Sequence, residues 1–94
     1  MPYKLLFKEE AKKEWDKLDS TIQKIFKKHL AKRLDRPHNE SSRLSGMKNC
    51  YKIKLRQAGY RLVYQIHDRK LVVVVIAVGK REKNFVYKKA IKRI

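Results

Sequence analysis

The hydrophobic period of this chain changes at Gly46. Before that residue apolar side chains recur at three- and four-residue spacing; after it they alternate, and one kind of element cannot serve both periods. A 94-residue chain with such a break reads as one α+β domain over residues 1–94, with helices set against a sheet.

The elements follow from the pattern. Residues 2 to 7 read as a short strand, and Ala11, Trp15 and Leu18 then fall at helix spacing among Lys and Glu. Ser20 and Gln23 have the spacing of a capping box, which predicts a second helix from near Thr21. Its apolar face is Ile22, Ile25, Phe26, Leu30 and Leu34, and Pro37 stops it. A tight connection around Asp19 makes the two helices an antiparallel pair. Residues 36 to 46 are polar and turn-forming. Strands are predicted at 50–56, 60–67 and 71–78, joined by Gln57-Ala58-Gly59 and Asp68-Arg69-Lys70 as an antiparallel meander. The run Leu71 to Val78 is apolar on both faces, as in a central strand covered by the helices on one side. Glu82 to Ile91 resumes helical spacing. The expected order is β-α-α-β-β-β-α, an N-terminal helical hairpin packed on an antiparallel sheet.

Within the meander, residues 51 to 61 carry the functional signal. Tyr51, Ile53 and Leu55 point to one side of a strand, so Lys52, Lys54 and Arg56 line up on the other. Adjacent cations repel one another and call for an anionic partner. Residues 1 to 46 carry 12 Lys/Arg and 7 Asp/Glu, whereas residues 47 to 94 carry 14 and 2. The second half is therefore a concentrated cationic field, for which nucleic acid is the leading partner and anionic lipid the competitor. No apolar run reaches membrane-spanning length, and Met1-Pro2-Tyr3-Lys4 does not open a signal peptide. With the single cysteine Cys50 expected to be structural, these features predict a cytoplasmic protein without a membrane partner.

The sequence has no HExxH, no cysteine pair, no Gly-rich phosphate loop and no acidic cluster, so no metal or nucleotide cofactor is expected. His29, His38 and His67 have no recognisable partners. Lys52, Lys54, Arg56 and Arg61 lie on two strands joined by a short turn, and Lys80-Arg81 follows the third. In a meander these converge. Converging cations hold a phosphodiester, stabilise the extra charge of its pentavalent transition state, and depress one another's pKa. A crowded Lys52 or Lys54 then suits a general base toward a ribose 2′-hydroxyl, with another cation as acid at the leaving oxygen. The same residues also describe a passive phosphate-binding surface. Tyr51, Tyr60 and Tyr64 fit the core register, while Tyr87, between Phe85 and Lys88-Lys89, is placed to stack on a base.

Leu44-Ser-Gly-Met47, Cys50-Tyr-Lys-Ile-Lys-Leu-Arg56, Gly59-Tyr-Arg-Leu-Val-Tyr64, Val78-Gly-Lys-Arg-Glu82 and Val86-Tyr87 together closely resemble the RelE toxins of bacterial and archaeal toxin–antitoxin systems, in the RelE/ParE superfamily. Lys13-Glu14-Trp15 and Lys17-Leu18 extend the likeness over essentially the whole chain. The resemblance implies a fold like that of small microbial ribonucleases and a metal-independent endoribonuclease, an mRNA interferase that cuts message in the ribosomal A site. The implied reaction is 2′-hydroxyl attack, leaving a 2′,3′-cyclic phosphate and a 5′-hydroxyl. It implies Lys52 and Lys54 as base and charge stabilisers, Arg61 at the transition state, Arg81 as general acid and Tyr87 positioning the message. Arg43, Arg56, Lys80 and Lys83 complete the expected RNA contacts. Ser45 departs from the pattern, since similar sequences often place a basic residue there. The implied partners are the ribosome with its 16S rRNA, mRNA, and a RelB-like antitoxin that folds on binding, with operator DNA reached only through the antitoxin complex. Two other readings stay open: a non-catalytic RNA- or ribosome-binding protein, and a toxin–antitoxin component acting mainly in operator binding.

Overall fold

A computed structural model describes residues 2–82 and 84–94. The order is β1 (Lys4–Phe7), α1 (Glu9–Asp16), α2 (Ser20–Asp35), β2 (Cys50–Leu55), β3 (Tyr60–His67), β4 (Val72–Lys80) and α3 (Phe85–Arg93), with single 3-10 turns at Glu40–Ser42 and Asp68–Lys70. This is the expected order. Sequence reading misplaced the cap of α2: Asp19, not Ser20, takes the N-cap, accepting a hydrogen bond from the Thr21 amide at 3.2 Å. At the other end Arg36 leaves the helical region, as a residue before proline must.

The sheet runs β1-β4-β3-β2. The three later strands form the expected antiparallel meander, and β1 joins it in parallel, Lys4 opposite Val72 through Phe7 opposite Val75. β4 is thus a central strand, paired on both sides, as β3 is. One face is covered by α1 and α2, with Trp15, Phe26, Leu30, Ile53, Leu62 and Tyr64 in its core. Ile25, expected on the buried face of α2, is 37% exposed. The other face is covered by α3, whose Val86 and Ala90 pack with Met47, Cys50, Val63, Ile76 and Ala77.

A bulge in β4 sets the second face. Val63 pairs with Ala77 but Tyr64 with Val75, so Ile76 is an extra residue. Ile76 and Ala77 consequently both enter the α3 core, and the alternation restarts one residue out of phase. From there Val78 faces α1 and α2 while Gly79 and Arg81 fall on the α3 side. Strict alternation from Val73 would have aimed Arg81 at the opposite face.

Candidate nucleic-acid interface

The cationic group assembles on the second face. Lys54 lies directly across from Arg61, and Lys52 from Val63. The neighbouring charge of Lys52, with partial desolvation and the charges of Arg61 and Arg56, holds the Lys54 ammonium below its ordinary pKa of 10.5. Arg61 continues the group toward the bulged strand, where it lines a cavity of about 180 Å³ with Lys80, Arg81, Asn84, Phe85 and Tyr87. Arg81 is steered there by its backbone as well, since its amide donates to Gly59 O at 2.8 Å. Gly59 itself sits at φ +73, where a side chain would be strained. Arg61 therefore links two clusters, the β2 lysines on one side and Arg81 with Tyr87 on the other.

Tyr87 packs partly into the second core, and its hydroxyl is buried with no hydrogen-bond partner among the described residues. Such a group costs about 1–3 kcal/mol relative to a paired one.

The lysine strand is an edge strand, and it is pinned along its free side. Leu44 N donates to Cys50 O at 2.9 Å, Arg43 bridges to Tyr51, and Arg33 Nη1 donates to Lys52 O at 3.2 Å. Arg33 also donates to the Tyr64 hydroxyl at 2.8 Å and to Ser42 Oγ at 3.2 Å. It thereby fixes the backbone between the two lysines from below. Sequence reading missed Arg33, whose position on α2 looked like one more solvated cation. Asn84, left-handed at φ 61 before α3, was also missed.

The other expected RNA contacts are distributed. Arg56 follows the end of β2 and lines a groove with His29, Arg33, Lys52 and Lys54. Lys80 lies with Arg61 and Arg81. Arg43 stands apart from both cavities and lies 3.8 Å from the Glu40 carboxylate. Lys83 falls outside the described residues. Two histidines acquire neighbours that sequence did not reveal. His29 is held below its ordinary pKa by burial and by the charges of Arg33 and Lys32. His38 pairs with Asp68 at 2.9 Å, far along the chain from it, and Tyr3 donates to the same carboxylate at 2.7 Å. Cys50 is buried, which pushes its thiol up to about 11 and suits a packing role. No helix among the described residues is long and apolar enough to cross a membrane.

Residues 5–85 match the sequence model of a family described as "ParE toxin of type II toxin-antitoxin system, parDE". The chain is 56% identical to the mRNA interferase toxin RelE of Escherichia coli K12 over 94 residues, covering 100% of this chain and 99% of that one. Its fold is similar to that of a double arginine mutant of E. coli RelE in the free state, with a TM-score of 0.92 at 55% identity over 100% of this chain and 99% of the other. It is also similar to a chain of the intact E. coli RelBE toxin–antitoxin complex, with a TM-score of 0.83 at 56% identity over 86% and 99% of the two chains. With near-complete coverage on both sides, the chain belongs to the RelE toxin family of the RelE/ParE superfamily.

Proposed function

We propose that this protein is a cytoplasmic mRNA interferase, a ribosome-dependent endoribonuclease that cuts message in the A site and is neutralised by a RelB-like antitoxin. The observation that carries this reading is the bulge-set convergence of Arg81 and Tyr87 with Arg61 and the β2 lysines on one face.

The chemistry follows from the charges. Lys54 is the better base of the pair, because the cations around it make its neutral amine more accessible. It accepts the 2′-hydroxyl proton as the 2′-oxygen forms its bond to phosphorus. Lys52 and Arg61 stabilise the charge that builds on the non-bridging oxygens. As the bond from phosphorus to the 5′-oxygen breaks, Arg81 protonates that oxygen. A guanidinium, though a weak acid, can do so, because the departing alkoxide is the stronger base. Tyr87 stacks on the message and relieves its orphaned hydroxyl there. The site has no strong acid–base pair, so in-line geometry imposed by the ribosome supplies a large share of the rate, up to about 7–11 kcal/mol.

The test is translation in vitro with message ends mapped by primer extension, comparing the parent with Arg81→Ala. Codon-positioned breaks lost in the mutant support catalysis. Equal inhibition by both proteins over intact message would instead establish a non-catalytic ribosome binder. Operator binding that needs the partner protein and ignores Arg81 would mark a mainly transcriptional role.

A further inference from the structure

β1 ends at Phe7, with Lys8 N donating to Val75 O at 3.0 Å, while β4 continues to Lys80. Past that point no strand among the described residues lies beside that edge of β4, yet two of its backbone groups are paired. Val78 N donates to Glu14 Oε1 at 3.2 Å, and Ile76 O accepts from Arg93 Nη1 at 2.9 Å. Glu14 and Arg93 join each other in a two-pronged pair, at 2.8 and 3.0 Å, with both side chains largely buried at 18% and 15% exposure. Lys89 adds a third donor to the same carboxylate at 3.1 Å. A carboxylate from α1 and a guanidinium from α3 thus substitute for the acceptor and donor of a missing strand.

This matters for α3 because little else within the helix holds it. It has nine residues, no side-chain cap at its start and no acidic residue in its first turn. A helix so short is marginal by itself. It is seated by Val86 and Ala90 on the sheet, by the Arg93 side chain on Glu14, and at its end by Lys8 Nζ, which donates to Arg93 O. Tyr87 directly follows Val86, six residues before Arg93 on the same helix.

We propose that Glu14 is a positioning residue: through Arg93 it seats α3 on the open edge of β4 and so keeps Tyr87 against Arg61 and Arg81. The catalytic half of this inference rests on the nuclease reading above; the seating half does not.

Glu14→Gln keeps the shape and removes the charge, and Arg93→Lys keeps the charge and removes the fork, so a folded variant is available even if one of them unfolds. Amide hydrogen exchange in 85–93 should accelerate by about tenfold or more in either variant, with exchange in β3 unchanged. Single-turnover cleavage on ribosomes should slow by about tenfold at unchanged ribosome affinity. In a Tyr87→Ala background the same substitution should change the rate by less than about twofold, because its effect passes through Tyr87. Unchanged exchange in α3 would overturn the seating. A rate loss that persists in full without Tyr87 would overturn the positioning. A parent protein that leaves message intact on ribosomes would sink the nuclease reading, while the exchange result still decides whether Glu14 seats the helix.

Discussion

The face of the sheet beneath α1 and α2 encloses Trp15, Phe26 and Tyr64 and gives the Tyr64 hydroxyl both a donor and an acceptor, whereas the face beneath α3 sets a small apolar core beside crowded cations and leaves the Tyr87 hydroxyl without a partner among the described residues. The first face is built for stability. On the second, self-repulsion and an unsatisfied polar group persist, and both would be relieved by an anionic ligand with hydrogen-bond acceptors. Strain of this kind is where local consistency gives way to function.

If that division holds, substitutions on the two faces should fail in different assays. Phe26 is fully buried in the first core, so Phe26→Ala should lower the unfolding free energy by about 3–5 kcal/mol. Urea denaturation measures this, and a loss below about 1 kcal/mol would mean the two faces do not differ as described. Lys54→Ala should do the reverse. Its urea midpoint should stay put or rise, since a repelled charge is removed, while single-turnover cleavage on ribosomes drops by about a hundredfold or more. A parent-like rate would confine Lys54 to a binding role.

The pH dependence separates the faces by window. Burial pushes the Glu14 carboxyl up, but the hydrogen bonds from Arg93, Lys89 and the Val78 amide, with the Arg93 charge, together hold it below its ordinary 4.5, with Glu10 nearby on its own helix. Its folded pKa is lower than its unfolded one, so its contribution is complete above about pH 4.5 and is lost as pH falls through the lower, folded value. Lys54 is also lowered, but its window lies just below 10.5. At neutral pH its repulsion is fully present, and it fades as pH rises through the folded pKa. Acid should therefore loosen α3 before β3, read by hydrogen exchange, in the parent but not in Glu14→Gln. Alkaline pH should raise the single-turnover rate toward the Lys54 pKa. A flat rate profile would assign both lysines to fixed charge alone.

Much of this was legible in the sequence because it depends on period. The helix spacing of Ala11 and Trp15, the alternation from Tyr51 to Leu55 and the two-sided apolar run of β4 each announce an element and its buried face. The convergence of Lys54 with Arg61 follows from a short hairpin. What did not show was whatever depends on a departure from period or on contacts between distant residues. The extra residue at Ile76 has the same composition as its neighbours, so the phase change that aims Arg81 leaves no mark. The parallel pairing of β1 is decided by tertiary packing. Arg33 and Glu14 looked like ordinary surface charges, and only the unpaired strand edges they satisfy give them their roles.

The smallest effect is also the most direct comparison, because the same atom is removed from each face. The Tyr64 hydroxyl donates to Pro37 O at 2.7 Å and accepts from Arg33 at 2.8 Å. Tyr64→Phe leaves that carbonyl and one guanidinium N–H with a lost partner, and should cost about 1–3 kcal/mol in urea denaturation. Tyr87→Phe deletes a buried hydroxyl that pairs with nothing described, so it should raise stability by about 1 kcal/mol. The phenyl ring still stacks, and cleavage should fall less than in Tyr87→Ala. Opposite signs for one chemical change would establish that the two faces differ in polar satisfaction and not merely in size. A loss at both positions would mean that the Tyr87 hydroxyl is already satisfied in the free protein, and the force drawing it toward RNA would have to come from stacking alone.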